Sequence, residues 1–198
     1  GKPLKGKVKI AGAKNAASKM MIASLLTDEP VILTNMPLQL ETDIARELVE
    51  MFGATTTGHD HTVELRTPTI ENTSAMELTR KNRLSILTVA PLLHRVGEAH
   101  VPMPGRGAHG DNIGPRPVNF HVEALKQMGA IVEEGEDSIR VTAPDGLKGA
   151  RIELAYPSVG ATETILFAAV MAKGRTVIKN AAIEPEIISL IMMLQKMG

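Results

Sequence analysis

The apolar and polar positions of this chain change rhythm in a recurring order. Residues 23–37 (ASLLTDEPVILTNMP), 90–104 (APLLHRVGEAHVPMP) and 168–182 (AAVMAKGRTVIKNAA) each read as the end of a helix running into a strand. A second phrase follows each of them: LVEMFGA at 48–54, LKQMGA at 125–130 and LQKMG at 194–198, an amphipathic helix stopped by a glycine. After the first two stops come short alternating runs at 63–65 and 138–141, set off by turns containing Gly or Asp. The opening LKGKVKI at 4–10 returns as LKGARIEL at 147–154. Together these phrases predict about three copies of a strand, helix, strand, helix, strand, strand unit, roughly 4–66, 76–143 and 147–198, with the third lacking its closing hairpin. Ile44, Leu48, Met51 and Phe52 fall on one helical stripe, as do Val118, Val122 and Leu125. Pro117 and Pro185 suit a first helical turn, whereas Pro91, inside an apolar stretch at 83–95, predicts a kink or a helix boundary.

No linker, low-complexity run or charge block divides the 198 residues, so one domain is the simplest organisation. The 43% hydrophobic and 22% charged content is that of an ordered globular protein. Twenty-two basic residues balance 22 acidic ones, which leaves no broad basic field for nucleic acid or anionic lipid. Any anion site must therefore be local. One Tyr and three Phe are too few for base-stacking modules. Without cysteine, disulfide and thiolate chemistry are excluded. No run is apolar enough to span a bilayer, so a cytoplasmic location and no membrane partner are expected.

Chemistry concentrates in a few places. Lys14 and Asn15 follow a Gly turn at a predicted helix start, where free amide hydrogens and the dipole favour an anion. A solvated lysine is the plainer alternative. Arg83 lies among Leu84, Ile86 and Leu87, so it sits at a rim or pairs with an anion. Arg116, held between Pro115 and Pro117 before a helix, suits a fork-like grip on phosphate or carboxylate. It closes segment 102–117 (PMPGRGAHGDNIGPRP), whose four glycines and four prolines predict a long loop. Asp111 in that loop is a potential proton donor or simply a turn residue. Ser158 to Thr162 (SVGAT) join a strand to a helix and offer hydroxyls and amides. Glu184-Pro185-Glu186 reads as dipole compensation at a helix start, with no catalytic role. The six histidines have no metal-ligand spacing, so no metal is expected.

The order of four strings is more specific than any one of them. IAGAKNAA, DNIGPRPVNFH, PSVGAT and NAAIEPEI, read from 10 to 187, resemble the UDP-N-acetylglucosamine carboxyvinyltransferases of bacterial wall synthesis, and the likeness extends from residue 4 to 198. That resemblance implies an inside-out α/β barrel of repeated βαβαββ units and a second globular domain that this chain does not include. It implies enolpyruvyl transfer from phosphoenolpyruvate to UDP-N-acetylglucosamine, with no cofactor. Lys14 and Asn15 match the pair that contacts phosphoenolpyruvate, and Arg83 and Arg116 match arginines of the anionic site. Arg116, Pro117, Val118, Asn119 and Phe120, with Tyr156, Pro157, Ser158, Val159 and Gly160, match the segments that hold the sugar nucleotide. Asp111 stands where members carry a loop cysteine or aspartate, Asn119 replaces an aspartate, and Tyr156 replaces a lysine. An enolpyruvylshikimate phosphate synthase-like enzyme and a non-catalytic nucleotide-sugar module are the alternatives. The isolated chain is expected to turn over little.

Overall fold

The computed structural model describes residues 1–78, 83–103 and 118–198. The first helix, α1 (Lys14–Ala23), continues as a 3-10 turn at Ser24–Leu26 and is followed by β1 (Val31–Leu33). Next come α2 (Leu40–Met51), β2 (Thr55–His59) and β3 (Thr62–Arg66). The same succession recurs as a 3-10 turn at Ser85–Thr88, α3 (Val89–Val96), β4 (Glu98–Pro102), α4 (Asn119–Gln127), β5 (Ile131–Glu134) and β6 (Ser138–Thr142). It recurs again as β7 (Arg151–Glu153), α5 (Val159–Ala169), β8 (Val177–Lys179) and α6 (Pro185–Met197).

Among the described residues three small sheets result instead of one continuous sheet. The first two share one antiparallel order, β1-β3-β2 and β4-β6-β5, and the third is the parallel pair β7-β8. Register follows burial. Val63 and Leu65 of β3 are buried, and they face Leu33 and Val31 across the ladder. The intervening Thr62, Glu64 and Arg66 stay in water, the period-2 pattern of a half-buried strand. The core lies on the helix side: α5 is buried almost all round, from Ala161 to Ile165 and at Phe167 and Ala168. It packs against α3, α4 and α6, while α1 packs against α2 and α6. Helices occupy the interior and sheets the outside.

Local chemistry explains most boundaries. Gly53 and Gly129 end α2 and α4 with φ of 101° and 95°, a conformation costly for other residues. Gly12 donates its N–H to Asn35 O at 3.0 Å, and a Cβ there would lie 2.2 Å from that oxygen. The α1 entrance is therefore fixed against the end of the first β-strand. Pro185 occupies the first turn of α6, as its missing amide hydrogen predicts. Pro91 marks a boundary: the stretch expected to be one helix from 83 is a 3-10 turn, and the α-helix begins at Val89, so Pro91 falls in its first turn, where its amide has no partner to lose.

Two opening strands differ from expectation. Residues 4–10 form no strand, and Leu4 is 99% exposed. Apolar residues alternate there with Lys5, Lys7 and Lys9, and no neighbouring strand within the described residues offers a ladder. In the second unit the opening strand shrinks to one parallel bridge, Ser74 to His100. Among the described residues only the third copy, β7, finds a full parallel partner, in β8.

Candidate functional site

An open cleft of about 460 Å³ runs between the helix starts. Asn15 and Lys19 of α1 line one side, and Arg83, Leu84, Ile86 and Leu87 form part of its wall. Val118, Phe120 and His121 enter from the start of α4, residues 156–160 and Glu163 from the approach and first turns of α5, and Glu184 and Glu186 from the start of α6. Four helix N-termini, those of α1, α4, α5 and α6, thus open towards one space, which concentrates positive dipole ends there.

Most of the expected residues have a definite place. Asn15, Arg83, Val118, Phe120, Tyr156, Pro157, Ser158, Val159 and Gly160 line the cleft. Lys14, the first residue of α1, is half exposed, and its ammonium lies 3.2 Å from Glu41 Oε2. Asn119 is exposed at the first residue of α4 and is not part of the lining. Asp111, Arg116 and Pro117 lie outside the described residues. The hydroxyls of the SVGAT segment already have structural partners. Ser158 Oγ accepts the Ala161 N–H at 3.3 Å as the cap of α5, and Thr162 Oγ1 donates to Ser158 O at 2.8 Å while accepting the Ala182 N–H at 3.0 Å. Tyr156, 65% exposed, leaves its ring available at the cleft.

The structure adds residues that the sequence reading passed over. Glu41, in the first turn of α2, collects three groups from α1: Ser18 Oγ donates at 2.8 Å, Lys19 Nζ at 3.3 Å, and Lys14 approaches the other oxygen. Burial alone would raise this carboxyl, but the Lys19 charge and the three hydrogen bonds outweigh it and hold the group below the usual range. Lys19 is 5% exposed, so the pair lies largely out of water. Glu163 on α5 is 2% exposed and has no hydrogen-bond partner among the described residues. Burial pushes its carboxyl up to about 7, against the opposing pull of Lys19 and Arg83, with Glu186 and Glu41 adding to the rise. His121 is buried, contacts Thr164 Oγ1 through Nδ1 at 2.7 Å, and is lowered by burial to about 4, so it is neutral near pH 7. Glu184 and Glu186 are more than dipole compensation: both face the cleft, and Glu186 Oε1 accepts from Asn15 Nδ2 at 3.2 Å. The overlooked signal was a charged residue inside an apolar helix, as in ATETILFAA.

Helices inside, small sheets outside and a cleft at converging helix starts define the enolpyruvyl transferase fold. NikO, an enolpyruvyl transferase from Streptomyces tendae, superposes with a TM-score of 0.79 at 18% identity, over 98% of this chain and 45% of that one. EPSP synthase from Acinetobacter baumannii gives 0.74 at 16% identity, over 92% and 42%. The sequence profile described as EPSP synthase (3-phosphoshikimate 1-carboxyvinyltransferase) matches residues 1–198, and the chain belongs to that family. Its curated relatives include proteins named UDP-N-acetylglucosamine 1-carboxyvinyltransferase. The one from Maricaulis maris is 46% identical over all of this chain and 47% of its own length. That of Chlamydia pneumoniae is 45% identical over 98% and 43%, and that of Endomicrobium trichonymphae 43% identical over 100% and 47%. The chain spans about half the length of the curated relatives it matches. Among its described residues no helix is long and apolar enough to cross a membrane.

Proposed function

We propose that the protein transfers the enolpyruvyl group of phosphoenolpyruvate to the 3′-hydroxyl of UDP-N-acetylglucosamine, releasing phosphate, as the first committed step of peptidoglycan synthesis in the cytoplasm. The observation that carries this reading is the gathering of Asn15, Arg83 and residues 156–160, distant in sequence, around one cleft. On this reading Lys14, Asn15, Arg83 and Arg116 hold the phosphate and carboxylate of phosphoenolpyruvate. Residues 116–120 and 156–160 hold the sugar nucleotide.

Asp111 protonates the methylene carbon, which leaves the neighbouring carbon electron-poor. The sugar oxygen bonds to that carbon and gives up its hydroxyl proton. Phosphate then departs, and loss of a proton from the new methyl group restores the double bond. No metal or organic cofactor takes part. The chain forms one domain of three units, 4–66, 76–143 and 147–198, and a companion domain supplies further cations and the base for the sugar hydroxyl.

The test is Asp111→Asn in a full-length protein of proven activity. Turnover should fall by at least 100-fold, the usual scale of general acid catalysis. Calorimetric binding of UDP-N-acetylglucosamine should stay nearly unchanged, because the amide has the same size. Full activity in the variant would remove Asp111 from this role, and preferential binding of shikimate phosphate would move the substrate assignment to the other branch of the family.

A further inference from the structure

Glu163 is a buried carboxyl with a face on the cleft and no hydrogen-bond partner among the described residues. It differs in this from the neighbouring carboxyls Glu41 and Glu186 and from His121. Glu41 has Ser18, Lys14 and Lys19, Glu186 has Asn15, and His121 has Thr164. The groups that face Glu163 come from every element around α5: Lys19 from α1, Glu41 from α2, Arg83 ahead of the 3-10 turn, Glu184 and Glu186 from α6, and His121 from α4. His94 of α3 touches only the far end of the helix, through Phe167 O and Ala168 O.

Two states of Glu163 have opposite consequences for an anion in the cleft. An ionised carboxylate would compete for Lys19 and Arg83 and repel the ligand at short range, where low water content strengthens the interaction. A neutral carboxyl has one O–H to donate and leaves Arg83 and the Lys19–Glu41 pair undisturbed. Building on the anion-binding reading above, we propose that Glu163 contacts the ligand as a neutral acid, donating a hydrogen bond to an anionic oxygen, so that anion binding in this cleft takes up one proton. Burial already holds the carboxyl up to about 7, and an arriving negative charge raises it further. Glu163 would thereby favour ligands with an acceptor oxygen beside the cations and weaken all of them as pH rises.

Calorimetry tests this with two probes that do not titrate near neutrality, sulfate and UDP-N-acetylglucosamine, in buffers of different ionisation enthalpy. Between about pH 6 and pH 8.5, affinity for either probe should fall about 30-fold, with a proton taken up at the higher pH, as a group near 7 requires. Glu163→Gln keeps a donor of the same shape but cannot ionise. It should bind at pH 6 nearly as well as the parent, more tightly than the parent at pH 8.5, and without proton uptake. Glu163→Ala should bind weakly at both. The carboxyl ¹³C resonance lost in Glu163→Gln should titrate near 7 in the unliganded protein and move upward with ligand. A parent with no proton uptake, a slope that survives in Glu163→Gln, or a resonance titrating near 4.5 would overturn the inference and leave the anion cleft standing. Binding of neither probe would overturn both.

Discussion

Two regions bordering the same cleft handle buried charge in opposite ways. On the α1–α2 side, Lys19 and Glu41 are removed from water together, with Ser18 and Lys14 completing the carboxylate's shell. On the α4–α5 side, among the described residues, Glu163 has no hydrogen-bond partner and His121 has only the Thr164 hydroxyl. The first wall stays charged because its charges satisfy one another; on the second, burial raises the Glu163 carboxyl to about 7 and lowers His121 to about 4. A paired wall can fix geometry, whereas an unpaired one can change protonation when a ligand arrives. The difference is thermodynamic and can be broken by substitution.

The largest effect should come from breaking the pair. Glu41→Ala leaves the Lys19 ammonium buried without its counter-charge, and removing one partner of such a pair costs about 3–5 kcal/mol. Denaturant unfolding measures it. A loss below about 1 kcal/mol, the level of an exposed pair, would show that the first wall is as loosely held as a surface salt bridge.

The second effect is a pH profile. Glu163 is raised from 4.5 to about 7, so its contribution to stability is full below 4.5 and is lost as pH rises to about 7. His121 is lowered from 6.5 to about 4, so its contribution is full above 6.5 and is lost as pH falls to about 4. Between about 4.5 and 6.5 the two slopes oppose each other and nearly cancel. Glu163→Gln removes one of them, so its stability should rise with pH across that window. It should also gain on the parent by about 3 kcal/mol between pH 4.5 and pH 8, from a shift of this size at 1.36 kcal/mol per unit. A constant offset between the two proteins would mean that Glu163 titrates normally.

A smaller effect separates hydrogen bonding from charge. Thr164→Val keeps the shape of a fully buried side chain but leaves His121 Nδ1 unpartnered, at a cost of about 1–3 kcal/mol. Measured at pH 8, where His121 is neutral, the loss should stay below that of Glu41→Ala, because no charge is stranded.

Legibility in the sequence follows the same division. Repeats, glycine stops and most strands were readable because they rest on local rules: a period of 2, a period of 3.6, and Gly53 and Gly129 at left-handed positions. The opening strand at 4–10 was misread because its alternation is real but a strand also needs a neighbour, which periodicity cannot report. Asn15, Arg83 and 156–160 were found by resemblance, and their meeting depends on helix packing that no local pattern encodes. Lys19, Glu41 and Glu163 were missed because their significance is mutual. A lysine, a glutamate and another glutamate in three helices look like ordinary surface charge until the fold brings them together.

The smallest predicted effect probes how tightly the second wall is packed. Gly160 lies in the first turn of α5 and has no left-handed φ, so alanine fits its backbone and should stabilise the helix by up to about 1 kcal/mol. Its new Cβ, however, would lie 3.1 Å from His121 Cε1 and 3.2 Å from Nε2. That is too close for comfort, and the outcome depends on whether the ring can move. His121 is buried and tied to Thr164 at 2.7 Å, so a shift of a few tenths of an ångström must lengthen that bond or turn the ring into the cleft. Gly160→Ala should therefore change stability by less than about 1 kcal/mol, because the helical gain and the crowding offset each other. The two contributions separate in the double variant with Thr164→Val. If the His121 ring is held by Thr164, releasing it lets the alanine gain emerge, and Gly160→Ala should be more favourable in the Thr164→Val background than in the parent. Strict additivity of the two substitutions would mean that His121 is fixed by its packing alone and that the hydroxyl does not hold this wall in place.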